Sequence, residues 1–191
     1  MCLPLSPGIT LKPANSLKLI QKLGVGVNTI DLGAARRRGI AVCNMPGVNS
    51  NAVAEFTIGL MLSALRRIVY LDAQTRQGRW VIEPEIADSL RELKGKTVGV
   101  VGFGAIGWRV ARLLTAFDAE VIYWSRADRP STVGSQVGLE ELFETADLIS
   151  LHLPAAPNTH MFVGKQLLER SKRGAILVNT ARGNLWTNRH C

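Results

Sequence analysis

With 191 residues, 47% of them apolar, the chain holds enough hydrophobic surface for one good core, or for one domain and part of another, and too much for a disordered segment. The formal net charge of +8 comes from lysines and arginines scattered along the sequence, with Arg36-Arg37-Arg38 as the one dense run. That pattern lacks the aromatic interleaving or module signature of a nucleic-acid binder and suits anionic small molecules instead. Cys2, Cys43 and Cys191 are odd in number and irregularly spaced. They speak against a disulfide framework or a zinc site and set a reducing, cytoplasmic compartment as the expectation. The amino terminus has no basic stretch ahead of an apolar one and is interrupted by Pro4 and Pro7, so it does not read as a signal peptide. The longest apolar stretch, Phe56 to Leu65, is too short to span a bilayer, and neither membrane nor nucleic acid is an expected partner.

In chain order, residues 1–45 predict a strand at Leu17–Ile20, a glycine turn at Gly24-Val25-Gly26, a helix over Asp31–Arg38 and a strand at Ile40–Cys43. That is too little for an independent domain. Asn49–Tyr70 reads as one long helix with Asn49, Ser50 or Asn51 as N-cap and a stripe of Val53, Phe56, Leu60, Ala64 and Ile68. Its apolar circumference predicts burial between two bodies. From Gly95 the elements alternate: strand Thr97–Val101, helix Ala105–Phe117, strand Glu120–Trp124, short helix Leu139–Thr145, strand Leu148–Leu153, helix Lys165–Ser171 and strand Ala175–Asn179. This series predicts an α/β fold built on a doubly wound parallel sheet, whose usual strand order 3-2-1-4-5-6 would take these strands as its first four.

The sharpest local signal is residues 94–107, where the apolar run Val98–Val101 empties into Gly102, Gly104 and Gly107 before a helix with Ile106, Val110, Leu113, Leu114 and Phe117 on one face. A dinucleotide pyrophosphate needs backbone N–H groups at a helix N-terminus and no Cβ in the way. Gly102 serves the tight turn, Gly104 the close approach and Gly107 the packing. With Ala105 and Ile106 opening the helix, these are the candidate cofactor-binding residues. An NAD site places an acid at the end of the second strand, but here Glu120–Trp124 is followed by Ser125 and Arg126. A hydroxyl and a guanidinium welcome a 2′-phosphate that a carboxylate would repel, so NADP is the expected cofactor, with NAD as the alternative.

Six ordered segments then share one likeness: GVGVNTID (24–31), RRGIAVCNMPGVNSNAVAEFTIGLML (37–62), the GRW of residues 78–80, LKGKTVGVVGFGAIG around the glycine turn, ISLHLPAAPNTH (149–160) and AILVNTARG (175–183). In order and spacing they resemble the D-isomer-specific 2-hydroxyacid dehydrogenases, over most of residues 17–183. The resemblance implies a two-domain enzyme that transfers a hydride between NAD(P)H and C2 of a small 2-keto or 2-hydroxy acid, of the glyoxylate and hydroxypyruvate reductase type. It implies a Rossmann cofactor domain and a flavodoxin-like substrate domain. It places the substrate carboxylate and carbonyl on Arg182, the one catalytic residue it assigns, and on the backbone N–H groups of Val25 and Gly26. Val53 would contact the nicotinamide side, and Leu153, Pro154, Thr180 and Ala181 would line the nicotinamide and its ribose. Physical logic also favours Arg182, expected after the fourth strand at the carboxyl edge next to the first, where its planar fork suits a carboxylate.

The likeness stops where the family would add a Glu and then a proton-exchanging His downstream of Arg182. His190 comes too early to be that residue, and His152 and His160 read as structural or surface residues. The expectation is therefore a chain truncated at both ends: a partial substrate domain over 1–45, a connecting helix and linker over 46–93, and a shortened dinucleotide domain over 94–191. Such a piece would be inactive. A dinucleotide-binding sensor without turnover is the alternative, and association into a homodimer stays open.

Overall fold

The computed structural model describes residues 16–80 and 84–186, so Cys2, His190 and Cys191 lie outside the described residues. These fall into two compact units that divide between Asn49 and Ser50. In the first, strand β1 (Leu19–Gln21) pairs in parallel with β2 (Ala41–Cys43), Ile20 opposite Val42, with helix α1 (Leu32–Arg37) between them in sequence. Asp31 starts α1 because its Oδ1 accepts the Ala34 N–H at 2.8 Å, and Arg36 and Arg37 occupy the last turn, where the helix dipole favours cations. Gly39, at φ +67°, then lets the chain turn back into β2.

The second unit opens with α2 (Ser50–Leu65), α3 (Ile68–Arg76) and α4 (Pro84–Ser89). The single helix expected over Asn49–Tyr70 is thus two. Arg67 sits in the left-handed region at φ 50°, which no helix continues through, and its Nη1 donates to Ser89 Oγ at 3.2 Å. No glycine or proline announces that break. The expected stripe is corrected as well. Ala54, Thr57, Ile58, Met61 and Leu65 are the buried face of α2, whereas Phe56 is 61% exposed and Leu60 36%.

The sheet follows with β3 (Thr97–Val101), α5 (Ala105–Thr115), β4 (Glu120–Trp124), β5 (Ser135–Gln136), α6 (Leu139–Thr145), β6 (Leu148–Leu151), α7 (Lys165–Arg170) and β7 (Ile176–Asn179), and 3₁₀ turns at Pro157–Thr159 and Gly183–Leu185. Its five strands are all parallel, in the order β5-β4-β3-β6-β7. The doubly wound parallel sheet stands, but its strand assignment changes. The two-residue β5 is the third strand of the 3-2-1-4-5 order, so β6 and β7 are the fourth and fifth, and β7 lies at the sheet's edge rather than beside β3.

Both faces of the sheet are covered. On one, Ala54, Ile58, Met61 and Leu65 of α2 and Val110, Ala111 and Leu114 of α5 pack on Val98, Val100 and Tyr123. On the other, Leu142, Phe143 and Ala146 cover Val101, Ile149 and Leu151. A Cβ on Gly99 would stand 2.5 Å from Leu142 Cδ2, which is why the middle of an otherwise β-branched strand carries glycine. Among the described residues no helix is long and apolar enough to cross a membrane, and no cluster of His, Cys, Asp or Glu could hold a metal ion.

Candidate dinucleotide and substrate site

In a parallel sheet the carboxyl ends of the strands and the N-termini of the following helices share one edge. Here that edge carries the glycine turn between β3 and α5. Gly102, at φ +99°, donates its N–H to the Trp124 carbonyl at 2.9 Å, and a Cβ there would meet His152 O at 2.7 Å. On Gly107 a Cβ would come within 2.1 Å of Gly102 O, so the first turn of α5 closes only on a residue without one. Gly104 differs: it precedes α5 and its missing Cβ points into open space. The exposed side of the turn is therefore a cradle that a side chain would fill, which fits a pyrophosphate against the α5 N-terminus with Ala105 and Ile106 in its first turn.

Beside this turn lies a cavity of about 800 Å³ lined by Phe103, Gly104, Ala105, Trp108, Arg129 and Ser131. Its far wall is the loop after β4, held in place by specific bonds. Phe103 stacks on Tyr123 at 3.7 Å, and Tyr123 Oη donates to the Arg129 carbonyl at 2.5 Å. Gln136 of β5 accepts the Arg129 N–H at 2.9 Å and donates to the Ala127 carbonyl at 3.3 Å. Arg129 Nη1 in turn donates to Phe103 O at 3.2 Å, so a guanidinium sits against the glycine turn itself. Ser125 is half-buried at the start of this loop and Arg126 is exposed. The sequence points to those two and not to Arg129. Nothing in the spacing announces that Tyr123 and Gln136 fold the loop inward.

Leu153 and Pro154 follow β6. Leu153 is 8% exposed and its Cδ2 would lie 2.9 Å from a Cβ on Gly102, while Pro154 O accepts the Thr159 hydroxyl at 2.6 Å. His152, between them and β6, pairs its Nε2 with Ser150 Oγ at 2.8 Å, and burial pushes its pKa down to about 4. His160 is exposed at the end of the 3₁₀ turn.

After β7 the chain makes a turn that Asn179 fixes from both sides. Its Oδ1 accepts the Ala181 N–H at 3.0 Å and its Nδ2 donates to the Arg182 carbonyl at 2.8 Å. Thr180 Oγ1 lies 2.9 Å from Thr57 Oγ1, which donates to the Val53 carbonyl at 2.8 Å. Val53, Thr180, Ala181 and Arg182 are thereby linked through side chains that the motif alone did not flag. Arg182 is exposed, at the carboxyl end of the edge strand β7. That places it two strands from β3, a correction to the adjacency expected from the strand count. The N-termini of α2 and α5 are also joined, because Arg109 Nε donates to Asn51 Oδ1 at 2.6 Å and its Nη1 to Ala105 O at 2.7 Å. Val25 and Gly26 belong to the first unit, in the loop after β1, where Val25 O accepts from Asn44 Nδ2 at 2.8 Å.

A strand-glycine-helix cradle, a pocket at its side and an arginine turn on the same sheet edge are the features of a dinucleotide-binding α/β protein. The chain belongs to the D-isomer specific 2-hydroxyacid dehydrogenase family, whose NAD binding domain matches residues 58–190. Glyoxylate reductase from Thermococcus litoralis is 40% identical over 181 residues, which cover 91% of this chain and 55% of that protein. Of solved structures, the TT0316 protein from Thermus thermophilus has a TM-score of 0.85 at 44% identity, covering 91% of this chain and 56% of the other. An acyclic imino acid reductase, Bsp5, in complex with NADPH and D-Arg has a TM-score of 0.81 at 34% identity, covering 89% and 55%. The chain thus spans about half the length of the relatives it matches.

Proposed function

We propose that this chain is the cofactor-binding and carboxylate-anchoring part of an oxidoreductase that moves a hydride between NADP(H) and C2 of a small 2-keto or 2-hydroxy acid, glyoxylate and hydroxypyruvate being the substrates to test first. The observation that carries it is the Asn179 clamp, which holds the Arg182 turn at the same sheet edge as the open cradle at Gly104. When bound, the dinucleotide supplies the hydride; the residues supply position and charge. Gly102, Gly104, Ala105, Ile106 and Gly107 would take the pyrophosphate on backbone N–H groups, and Leu153, Pro154, Val53, Thr180 and Ala181 would keep the nicotinamide side apolar. Arg182 would hold the substrate carboxylate with two N–H donors and stabilise charge growing on the keto oxygen.

NADP rather than NAD is favoured because the loop after β4 brings Ser125, Arg126 and Arg129 and no acid at the strand end. Fluorescence titration with NADPH and NADH tests it, and tighter NADH binding would sink it. A second reading, dinucleotide binding without turnover, is supported by the described histidines. His152 is pushed too low to hold a proton near neutral pH and His160 is exposed. Among the described residues neither ring bonds to the turn that carries Arg182. NADPH oxidation with glyoxylate or hydroxypyruvate separates the two: turnover supports the reductase, and tight binding with no turnover supports the sensor. Association stays with this proposal, since Phe56 and Leu60 leave an apolar stripe on α2 exposed and the mass in solution decides between one copy and two. A soluble, cytoplasmic setting belongs to the same proposal and is supported by the three unpatterned cysteines.

A further inference from the structure

The amino edge of the sheet carries charge that the proposed reaction does not use. Three short backbone segments converge there. The Lys96 N–H closes a turn on Leu93 O at 3.0 Å, and the Ala175 N–H closes another on Lys172 O at 2.9 Å, with Gly174 at φ +81°. The Arg91 N–H is pinned to the last carbonyl of α2, Leu65 O, at 3.0 Å. Between them is a cavity of about 60 Å³ lined by Arg91, Lys96, Lys172, Arg173 and a single acid, Asp147.

The acid is already engaged. Asp147 Oδ2 accepts the Thr97 N–H at 2.9 Å and Oδ1 accepts from Lys172 Nζ at 3.1 Å. Partial burial alone would raise its pKa, but the Thr97 N–H and the charges of Lys172 and Lys96 outweigh it and hold the carboxyl below its ordinary value. One carboxylate therefore offsets Lys172 and leaves Arg91, Lys96 and Arg173 in excess. Arg91 leans over the turn that carries Arg173: its Nη1 and Nη2 lie 3.8 and 3.9 Å from where a Cβ on Gly174 would stand. Like charges gathered on fixed turns repel, and an anion among them turns that repulsion into attraction. At about 60 Å³ the cavity has room for a small anion. β3 separates it from the glycine turn by roughly 13 Å, at about 3.3 Å per residue, so one pyrophosphate cannot serve both.

We propose that Arg91, Lys96 and Arg173 form a second anion site, distinct from the dinucleotide cradle, that takes a phosphate group, either free inorganic phosphate or a small phosphomonoester. Bound there, the anion ties together the residues that lead into β3, β6 and β7. The test is thermal melting of the full chain in inorganic phosphate or glycerol phosphate up to about 10 mM, against chloride at equal ionic strength. Arg91→Gln, Arg173→Gln and Arg173→Lys are compared with the parent. A saturable rise in Tm is expected, with apparent affinity falling about tenfold or more in each Gln variant and largely kept by Arg173→Lys. Response to phosphate alone identifies the free ion, and response to both identifies the phosphate group. The proposal is overturned by no saturable response, by a response that survives both Gln variants, or by competition between phosphate and NADPH, which would put the anion in the cradle. Failure of the parent chain to bind NADPH would sink the cofactor reading and leave this result standing.

Discussion

At the scale of single residues, the three glycines of the cradle separate packing from ligand approach. Gly107→Ala drives a Cβ onto a carbonyl 2.1 Å away, and overpacking of this kind costs about 1–3 kcal/mol. A clear fall in Tm is expected, together with loss of NADPH binding. Gly104→Ala meets open space, so its Tm should hold within a degree or two of the parent while NADPH affinity drops about tenfold because the methyl occupies the cradle. If Gly104→Ala bound NADPH as the parent does, the cradle would lie elsewhere. The loop after β4 carries a second test. Ser125→Asp with Arg126→Gln restores the acid that a ribose 2′-OH prefers. The ratio of NADPH to NADH affinity should fall about tenfold or more, read by fluorescence titration. Arg129→Leu should weaken NADPH without restoring NADH, since that guanidinium also holds Phe103 O.

At the scale of elements, the Thr57 hydroxyl ties α2 to the turn after β7, meeting both Val53 O and Thr180 Oγ1. Thr57→Val removes it and leaves Thr180 without that partner in a partly buried place, a loss of about 1 kcal/mol, or about 2–4 °C in Tm for a chain of this size. Thr57→Ser should recover most of it; equal Tm for all three would show that the bond carries no stability. The elements found in advance were those with a local signal in the sequence: the continuous apolar runs of β3 and β6, the alternation of β4, the apolar stripe of α5 and the Asp31 start of α1. Ser135–Gln136 did not, because a two-residue, exposed edge strand has no period to display. The break at Arg67 did not either, since it rests on a left-handed arginine held by Ser89 rather than on glycine or proline. The α2 stripe was misassigned because the helix is apolar around much of its circumference, and only the sheet decides which side is buried. In the site, the glycine turn and the NTARG segment were legible as motifs. The Asn179 clamp, Thr57 and the inward fold of Arg129 depend on partners distant in sequence and could not be read from spacing.

At the scale of the whole molecule, acid sensitivity should come from the centre of the sheet before the surface. His152 titrates near pH 6.5 when unfolded and at about 4 in the folded protein, because burial disfavours the imidazolium. Between those values the unfolded chain binds the extra proton, so stability rises with pH through that window and is lost as pH falls from 6.5 toward 4. Each tenfold difference in proton affinity between the two states is worth about 1.36 kcal/mol, so the loss approaches about 3 kcal/mol, a large share of a typical total of roughly 5–15 kcal/mol. Asp147 acts later and elsewhere. Its folded pKa is depressed, so its contribution is whole above 3.8 and disappears only as pH falls further. Two steps are therefore expected in urea midpoints measured from about pH 7 to about pH 3, the first belonging to His152. His152→Asn should flatten that first step while keeping the second, whatever it does to stability at neutral pH. Because His152 O packs against Gly102 and the ring bonds Ser150 beneath it, protonation works directly under the cradle. NADPH affinity should weaken over the same window in the parent and not in His152→Asn; unchanged affinity in both would separate the histidine from the site it underlies.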